Sequence, residues 1–288
     1  MRVMIPYMSL FLFMFSVTLQ YPIAQFMIAD KGCTTYLPRE VCKDLKNNRE
    51  DERKLQMFTE DYISSLHTLG TITSVVMTMF LGAYSDRKGR KGVLLIPCIG
   101  VAVFAIAMFL QGQYLYISGF LLYGSTLAMG ITGGMSAFVI TMTCYLTDKT
   151  SPERRAITLA SAVASIGFGS VLGGLATKMV ASIVGTYNIH MVVLACQVIA
   201  MLLIILFLDE SEEAQPPAQP ISNKSGGKPS FIKGIWECMM SGPRVMIADD
   251  HEGRRRKHLI ILSVITMLTM ACSVGKCKYG NNLDLRYF

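Results

Sequence analysis

From Val3 to Ala29 the chain carries no charged side chain, and six further stretches of comparable length repeat the pattern. About 20 apolar residues in a helix, rising about 1.5 Å each, cross the hydrocarbon core of a bilayer. Backbone groups in lipid must find their partners within a helix or a closed barrel. Barrel strands would alternate apolar and polar residues in short segments, and these runs do not alternate. The expected fold class is all-α, a polytopic membrane protein. Only 16% of the 288 residues are charged, against roughly 25% in a soluble domain, too few to solvate a globular surface.

The first run is longer than the apolar core of a signal peptide, about 7–15 residues with a small-residue cleavage site. It ends in "QFMIADKGC" and reads as the first span. A polar segment, Asp30 to Asp61, follows. The second span is Tyr62 to Tyr84, containing His67, and the third is Val93 to Leu110. The fourth, Ser118 to Leu146, exceeds one crossing, so part of it is expected to tilt or leave the hydrocarbon. The fifth is Ile157 to Thr177, the sixth Tyr187 to Leu208 and the seventh Leu259 to Gly275. The expected organisation is a six-helix unit over 1–208, a cytosolic central loop over 209–257, the seventh helix over 258–275 and a short polar tail over 276–288. The loop has linker composition in "DESEE", "QPPAQP" and "SNKSGGKPS". Within it "FIKGIWECMM" suits either a short surface helix or plain linker.

Lysine and arginine in the short loops set the orientation. The loop after the second span holds Arg87, Lys88, Arg90 and Lys91; that after the fourth holds Lys149, Arg154 and Arg155; the long one after the sixth holds Lys224, Lys228, Lys233, Arg244 and Arg254 to Lys257. The loop after the third has no charge, and that after the fifth has little beyond Lys178. The N-terminus and the basic loops are therefore expected in the cytoplasm, with the first polar loop, mixed in sign, as the one dissent. The net charge of +7 sits in these loops, where it anchors to anionic membrane lipid; no nucleic-acid partner is expected.

Eight cysteines do not form a framework here. Cys98, Cys144, Cys196 and Cys272 fall inside apolar runs, where a small soft residue is ordinary packing. Cys33 and Cys42 lie in the polar loop and can pair with each other, or one of them with Cys277, if that side is oxidising. No Cys or His cluster has metal-ligand spacing, and no cofactor is expected. No Ser/His/Asp set, carboxylate pair or phosphate loop suggests an enzyme.

The stretch "GAYSDRKGRK", residues 82–91, has the spacing G-x-x-x-D-R-x-G-R-K. Gly82 lets a neighbouring helix approach, and Gly89 permits the left-handed conformation of a tight reversal. Asp86 can cap the next helix or pair with an arginine. This turn resembles the signature of the major facilitator superfamily between its second and third helices. "LTDKTSPERRA" agrees, with Asp148 at the cytosolic end of the fourth span and Arg154 and Arg155 before the fifth. The resemblance implies that Asp86, Arg87, Arg90, Asp148, Arg154 and Arg155 form a gating network on that face, with Arg90 reaching Asp148 or a neighbour. Gly167, Gly169, Gly173 and Gly174 in "IGFGSVLGGLA" have the spacing for close helix packing; a hinge is the competing role.

"LQYP", the charged turn, "ASIG" and "RKHLIILS" in their order are similar to the solute carrier family 46 group, the branch of the proton-coupled folate carrier. Three ionisable positions of that carrier fall at Val163, near Gly134 and at Ser273, all neutral here, so folate as substrate is not supported. Polar groups inside the spans are Gln20, Gln25, His67, Thr126, Thr132, Ser136 and Gln197. An intramembrane ionisable residue is a functional candidate, which singles out His67 for a substrate or proton pathway; a water-bonded histidine near the outer end is the bland alternative.

Superfamily carriers have two six-helix halves with the site between them. The sequence is expected to supply the first half and one helix of the second, a truncated form. Two function classes follow. One is a secondary carrier of a small organic solute, with protons as a coupling option, silent without a second half. The alternative is a non-transporting membrane protein that binds or modulates a full-length relative. Either acts in the plasma or lysosomal membrane.

Overall fold

The computed structural model describes residues 4–36, 42, 49–113 and 118–209, all within one compact unit, Met1–Lys224. The expected seventh span, the central loop and the tail lie outside the described residues. Among the described residues seven α-helices make six membrane-length spans: α1 Ile5–Tyr36, α2 Arg49–Lys88, α3 Arg90–Gln113, α4 Gly119–Ile131, α5 Gly134–Asp148, α6 Arg155–Val184 and α7 Ile189–Phe207. Among the described residues there is no strand. The fourth span is α4 and α5 in series, and a short 3-10 turn, Pro152–Arg154, leads into α6.

Two helices are longer than their uncharged runs. α1 continues past Ala29 to Tyr36, and α2 begins at Arg49, so both ends of the polar segment are helical. The start of α2 favours this locally: Glu50, Asp51 and Glu52 sit in its first turn, where the helix dipole favours negative charge. Lys54 then reaches Glu50 one turn back at 3.4 Å.

The interior is apolar and centred on α1. Phe13 stacks on Phe138 of α5 with ring centroids 3.9 Å apart, among Leu10, Leu94, Cys98 and Met142. α1 packs most extensively on α6, then on α7, and α3 packs on α7. Gly169 and Gly173 of α6 make the first contact close. A Cβ on Gly169 would stand 2.6 Å from the Phe11 carbonyl oxygen, and one on Gly173 2.5 Å from that of Phe15. Their absence lets the two backbones touch. Gly167 and Gly174, on other faces of α6, look onto open space, as does Gly82 of α2. Packing thus uses two of the four α6 glycines.

At one end of the bundle Gly89 (φ +94°) turns the chain from α2 into α3. At the other, Cys33 is joined to Cys42. Nearby, Lys31 donates to the Gly112 carbonyl at 3.3 Å and lies over the Tyr187 ring. The Tyr187 hydroxyl donates to the Asp30 carboxylate. Burial, and then that carboxylate, hold the Tyr187 phenol above the usual tyrosine range.

Candidate functional site

The fourth span breaks where "ITGG" places two glycines together. Gly133 and Gly134 have φ of +81° and +52°, a region that side chains with a Cβ avoid, so the helix cannot run through. The loosened backbone is held from α2, where the Ser74 hydroxyl donates to the Gly133 carbonyl at 2.7 Å. The excess length of this run is therefore met by an interruption halfway along it.

Beside the break, α1–α6 enclose a half-open cavity of about 620 Å3. Its walls are largely apolar, from Val17, Ile63, Leu66, Phe104 and Met129 among others. Ligand pockets of a few hundred Å3 with few polar groups have this character. Five of the sequence-selected polar residues, Gln20, Gln25, His67, Thr126 and Ser136, line it, and Thr132 does not. His67 meets Tyr21 edge-on, with centroids 5.2 Å apart. Gly174 also lines the cavity, a place its sequence grouping with Gly173 did not suggest.

Gln197 is elsewhere. It is fully buried between α7 and α1, its Nε2 donating to Ser16 Oγ at 2.5 Å, and it is not part of the cavity lining. Ser16 spends its own proton on the Phe13 carbonyl at 2.8 Å, so it must accept from the amide, which orients the glutamine. The role this supports is holding α7 to α1 behind the cavity wall.

The charged turn is apart from the cavity, at the Gly89 end. Arg90 pairs with Asp148 at 2.5 Å, joining the start of α3 to the end of α5. The pair is partly exposed, 15% and 41% for the two side chains. Tyr145, one turn before Asp148, donates to the Asp209 carbonyl at 3.2 Å, so the end of α7 is tied to the same corner. Asp86 and Arg87 lie in the last turn of α2, their side chains outside the described set. Arg154 and Arg155 are exposed at the start of α6. Cys277 lies outside the described residues. Sequence reasoning missed the cluster of Asp30, Lys31 and Tyr187 at the disulfide end. The only signal was a charge pair at the end of an apolar run, with nothing to point at a tyrosine 157 positions on.

The chain is similar to several known proteins. The chain is 21% identical over 252 residues to "Probable peptidoglycan muropeptide transporter SLC46" of Drosophila melanogaster, covering 83% of this chain and 46% of that protein. It is 22% identical over 280 residues to "Lysosomal proton-coupled steroid conjugate and bile acid symporter SLC46A3" of Gallus gallus, covering 92% and 58%. Both relatives carry the solute carrier family 46 name that the sequence motifs resemble. It is also 31% identical to the class C tetracycline resistance protein of Escherichia coli, over 49% of this chain and 33% of that one. The chain spans about half the length of the first two relatives, 46% and 58%. The crystal structure of the human organic anion transporter MFSD10 (TETRAN) superimposes with a TM-score of 0.52 at 20% identity, over 74% of this chain and 48% of that one, a likeness of fold. The profile of the Major Facilitator Superfamily matches residues 7–275, nearly the whole sequence. With that match, six membrane-length helices and a charged reversal between the second and third, the chain belongs to the Major Facilitator Superfamily.

Proposed function

We propose that the six described spans act as the N-terminal half of a secondary carrier, and that their cavity is one wall of the route of a small organic solute. The family and its named relatives are membrane transporters, and the chain is a multi-pass membrane protein rather than an enzyme. The observation that carries the reading is the cavity: about 620 Å3, apolar, with a few polar side chains converging on it. The second wall would come from another six-helix half, in a longer form of this protein or a full-length relative. The exposed faces of α2 and α6 are suited to meet it, since only 6% and 17% of their apolar windows are buried, against 56% for α3. Among the lining residues His67 is the imidazole, the side chain most often used to pass protons. The gallus relative, named as lysosomal and proton-coupled, makes a lysosomal membrane and proton coupling the leading option over the plasma membrane.

The charged corner takes a different part. With the N-terminus in the cytoplasm, Arg90–Asp148 closes the cytoplasmic end, joined by Asp86, Arg87, Arg154 and Arg155. A partly exposed pair contributes about 0–1 kcal/mol, enough to bias a carrier whose two states differ by a few kcal/mol. Asp148→Asn should change accessibility and transport rate, and solute affinity only as far as the populations shift.

A cavity-filling substitution tests the central point. Gly174 lines the cavity and has nothing within 4 Å of where a Cβ would lie, whereas Gly167 is equally open but outside the lining. Small organic solutes that raise the melting temperature of the purified protein should lose that effect in Gly174→Leu and keep it in Gly167→Leu. Solute stabilisation that survives Gly174→Leu would remove the cavity from the reading.

A further inference from the structure

α1 passes from one apolar core into another beside its proline. Its buried side chains up to Leu19 and Ile23 belong to the cluster around Phe13 and Phe138. On this side of Pro22 the helix is pressed on α6, where Gly173 leaves no room for a Cβ beside Phe15 and Thr18. From Ala24 on, the buried side chains belong to a second cluster, in which Ala24, Met27 and Ile28 meet Leu66 of α2, Met108 of α3 and Leu122 of α4. Pro22 lies inside the helix at this division. It has no N–H, so the Thr18 carbonyl lacks its helical donor, and a helix bends most easily at such a point.

Beyond Pro22 polar contacts at the disulfide end fix the segment. Tyr187, in the turn before α7, donates its hydroxyl to the Asp30 carboxylate. Lys31, 9% exposed, donates to the Gly112 carbonyl at the end of α3 at 3.3 Å and lies 5.3 Å from the centre of the Tyr187 ring. Two adjacent residues of α1 thus tie it to α3 and to the entry of α7, and the Tyr187 ring also packs on the second cluster. The same segment is a wall of the cavity, which Ala24, Gln25 and Ile28 line. Moving α1 beyond Pro22 therefore moves the boundary of the cavity toward the disulfide end.

We propose that Asp30, Lys31 and Tyr187 form a latch, and that α1 from Ala24 to Tyr36 is the strap it holds, hinged at Pro22. Latched, the strap closes the seam between α1 and α3 beside the cavity. Unlatched, it swings away from α3 and from the turn before α7, and water reaches Ile28. This rests on reading the cavity as part of a solute route and adds the device that controls one side of it. Local openings have their own free energy, below that of global unfolding, and hydrogen bonds of charged groups are about twice as strong as neutral ones. Losing one of them shifts the opening without hollowing the apolar packing.

The test labels the purified full chain in detergent with a small cationic thiol reagent, 2-(trimethylammonium)ethyl methanethiosulfonate. Ile28→Cys reports on the strap, since Ile28 is 2% exposed, and native Cys98, fully buried, reports on the inner core. The Cys33–Cys42 link is kept and the remaining cysteines are replaced by alanine. Tyr187→Phe and Lys31→Met should each speed labelling of Ile28→Cys about tenfold, the effect of losing one hydrogen bond of a charged group. Labelling of Cys98 should stay within about twofold. Adding Pro22→Ala should cut the rise to about twofold or less, because the helix then has no weak point at the junction. Unchanged labelling of Ile28→Cys in the latch variants would overturn the proposal. Equal rises at Ile28→Cys and Cys98 would mark general loosening and overturn it too, as would a rise that Pro22→Ala leaves intact. Tyr187→Phe removes only one hydroxyl and decides the matter alone where Lys31→Met does not fold. No solute enters the measurement, so a failure here leaves the cavity reading to the Gly174 comparison.

Discussion

Single residues on one helix have opposite relations to their neighbours. Gly169 and Gly173 are in backbone contact with α1, and Gly167 faces open space. A methyl on Gly173 must displace the Phe15 carbonyl or the helix itself, and such overpacking costs about 1–3 kcal/mol. Gly173→Ala should therefore lower the melting temperature in detergent. Gly167→Ala should leave it unchanged or raise it, since alanine favours a helix over glycine by about 1 kcal/mol. Equal effects from the two would show that the α1–α6 contact is looser than described. The sequence places 169 and 173 on one helical face and 167 and 174 on another, four and seven residues apart. It does not say which face meets a helix, because α6 is apolar all round and carries no polar stripe to choose a side.

At the scale of an element, the fourth span is the informative one. Its break depends on two glycines at positive φ and on Ser74 reaching across from α2 to the Gly133 carbonyl. Ser74→Ala should lower stability by about 1 kcal/mol, the usual worth of one hydrogen bond, seen in thermal melts. Gly133→Ala should cost more, since a Cβ there is strained by φ +81° and would lie 2.8 Å from Leu81 Cδ1. A Gly133→Ala protein as stable as wild type would mean that the helix can run straight through. The excess length of this run was legible in the sequence, and so was the glycine pair. The site of the break followed only once Thr132, Gly133 and Ser74 were seen to satisfy the loosened ends.

For the whole molecule, orientation and the disulfide make one joint prediction. Basic loops predict the Gly89 end in the cytoplasm, and the Cys33–Cys42 link is then expected on the opposite, oxidising side. With the free cysteines replaced, a cysteine introduced at Ser151 should be shielded from an impermeant thiol reagent applied outside. One introduced at Asn188 should react with it in cells that deliver the protein to the surface. Non-reducing peptide mapping should link Cys33 to Cys42. Closing a loop of nine residues is worth about 2–3 kcal/mol in the chain-entropy account, so reduction should lower the melting temperature. Labelling at Ser151 and not at Asn188 would invert the topology.

The sequence alone determined that this chain is a bundle of membrane-crossing helices, where each of the six described spans begins and ends to within about four turns, and where the charged reversal lies. Those are local matters: an uncharged run of sufficient length that does not alternate satisfies its backbone in lipid as a helix, and a glycine among charges suits a tight turn. It also placed Gln20, Gln25, His67 and Thr126 among the candidates that line the cavity. Tertiary structure alone decided that Gln197 is bonded to Ser16 behind that wall, that Gly174 borders the cavity while Gly173 is pressed on α1, and that Lys31 and Tyr187 meet at the disulfide end. Each of these depends on the rotation of one helix about its axis against another. In α1 and α6 that rotation is set by close packing of nearly uniform apolar surfaces, and no pattern of polarity along the chain records it.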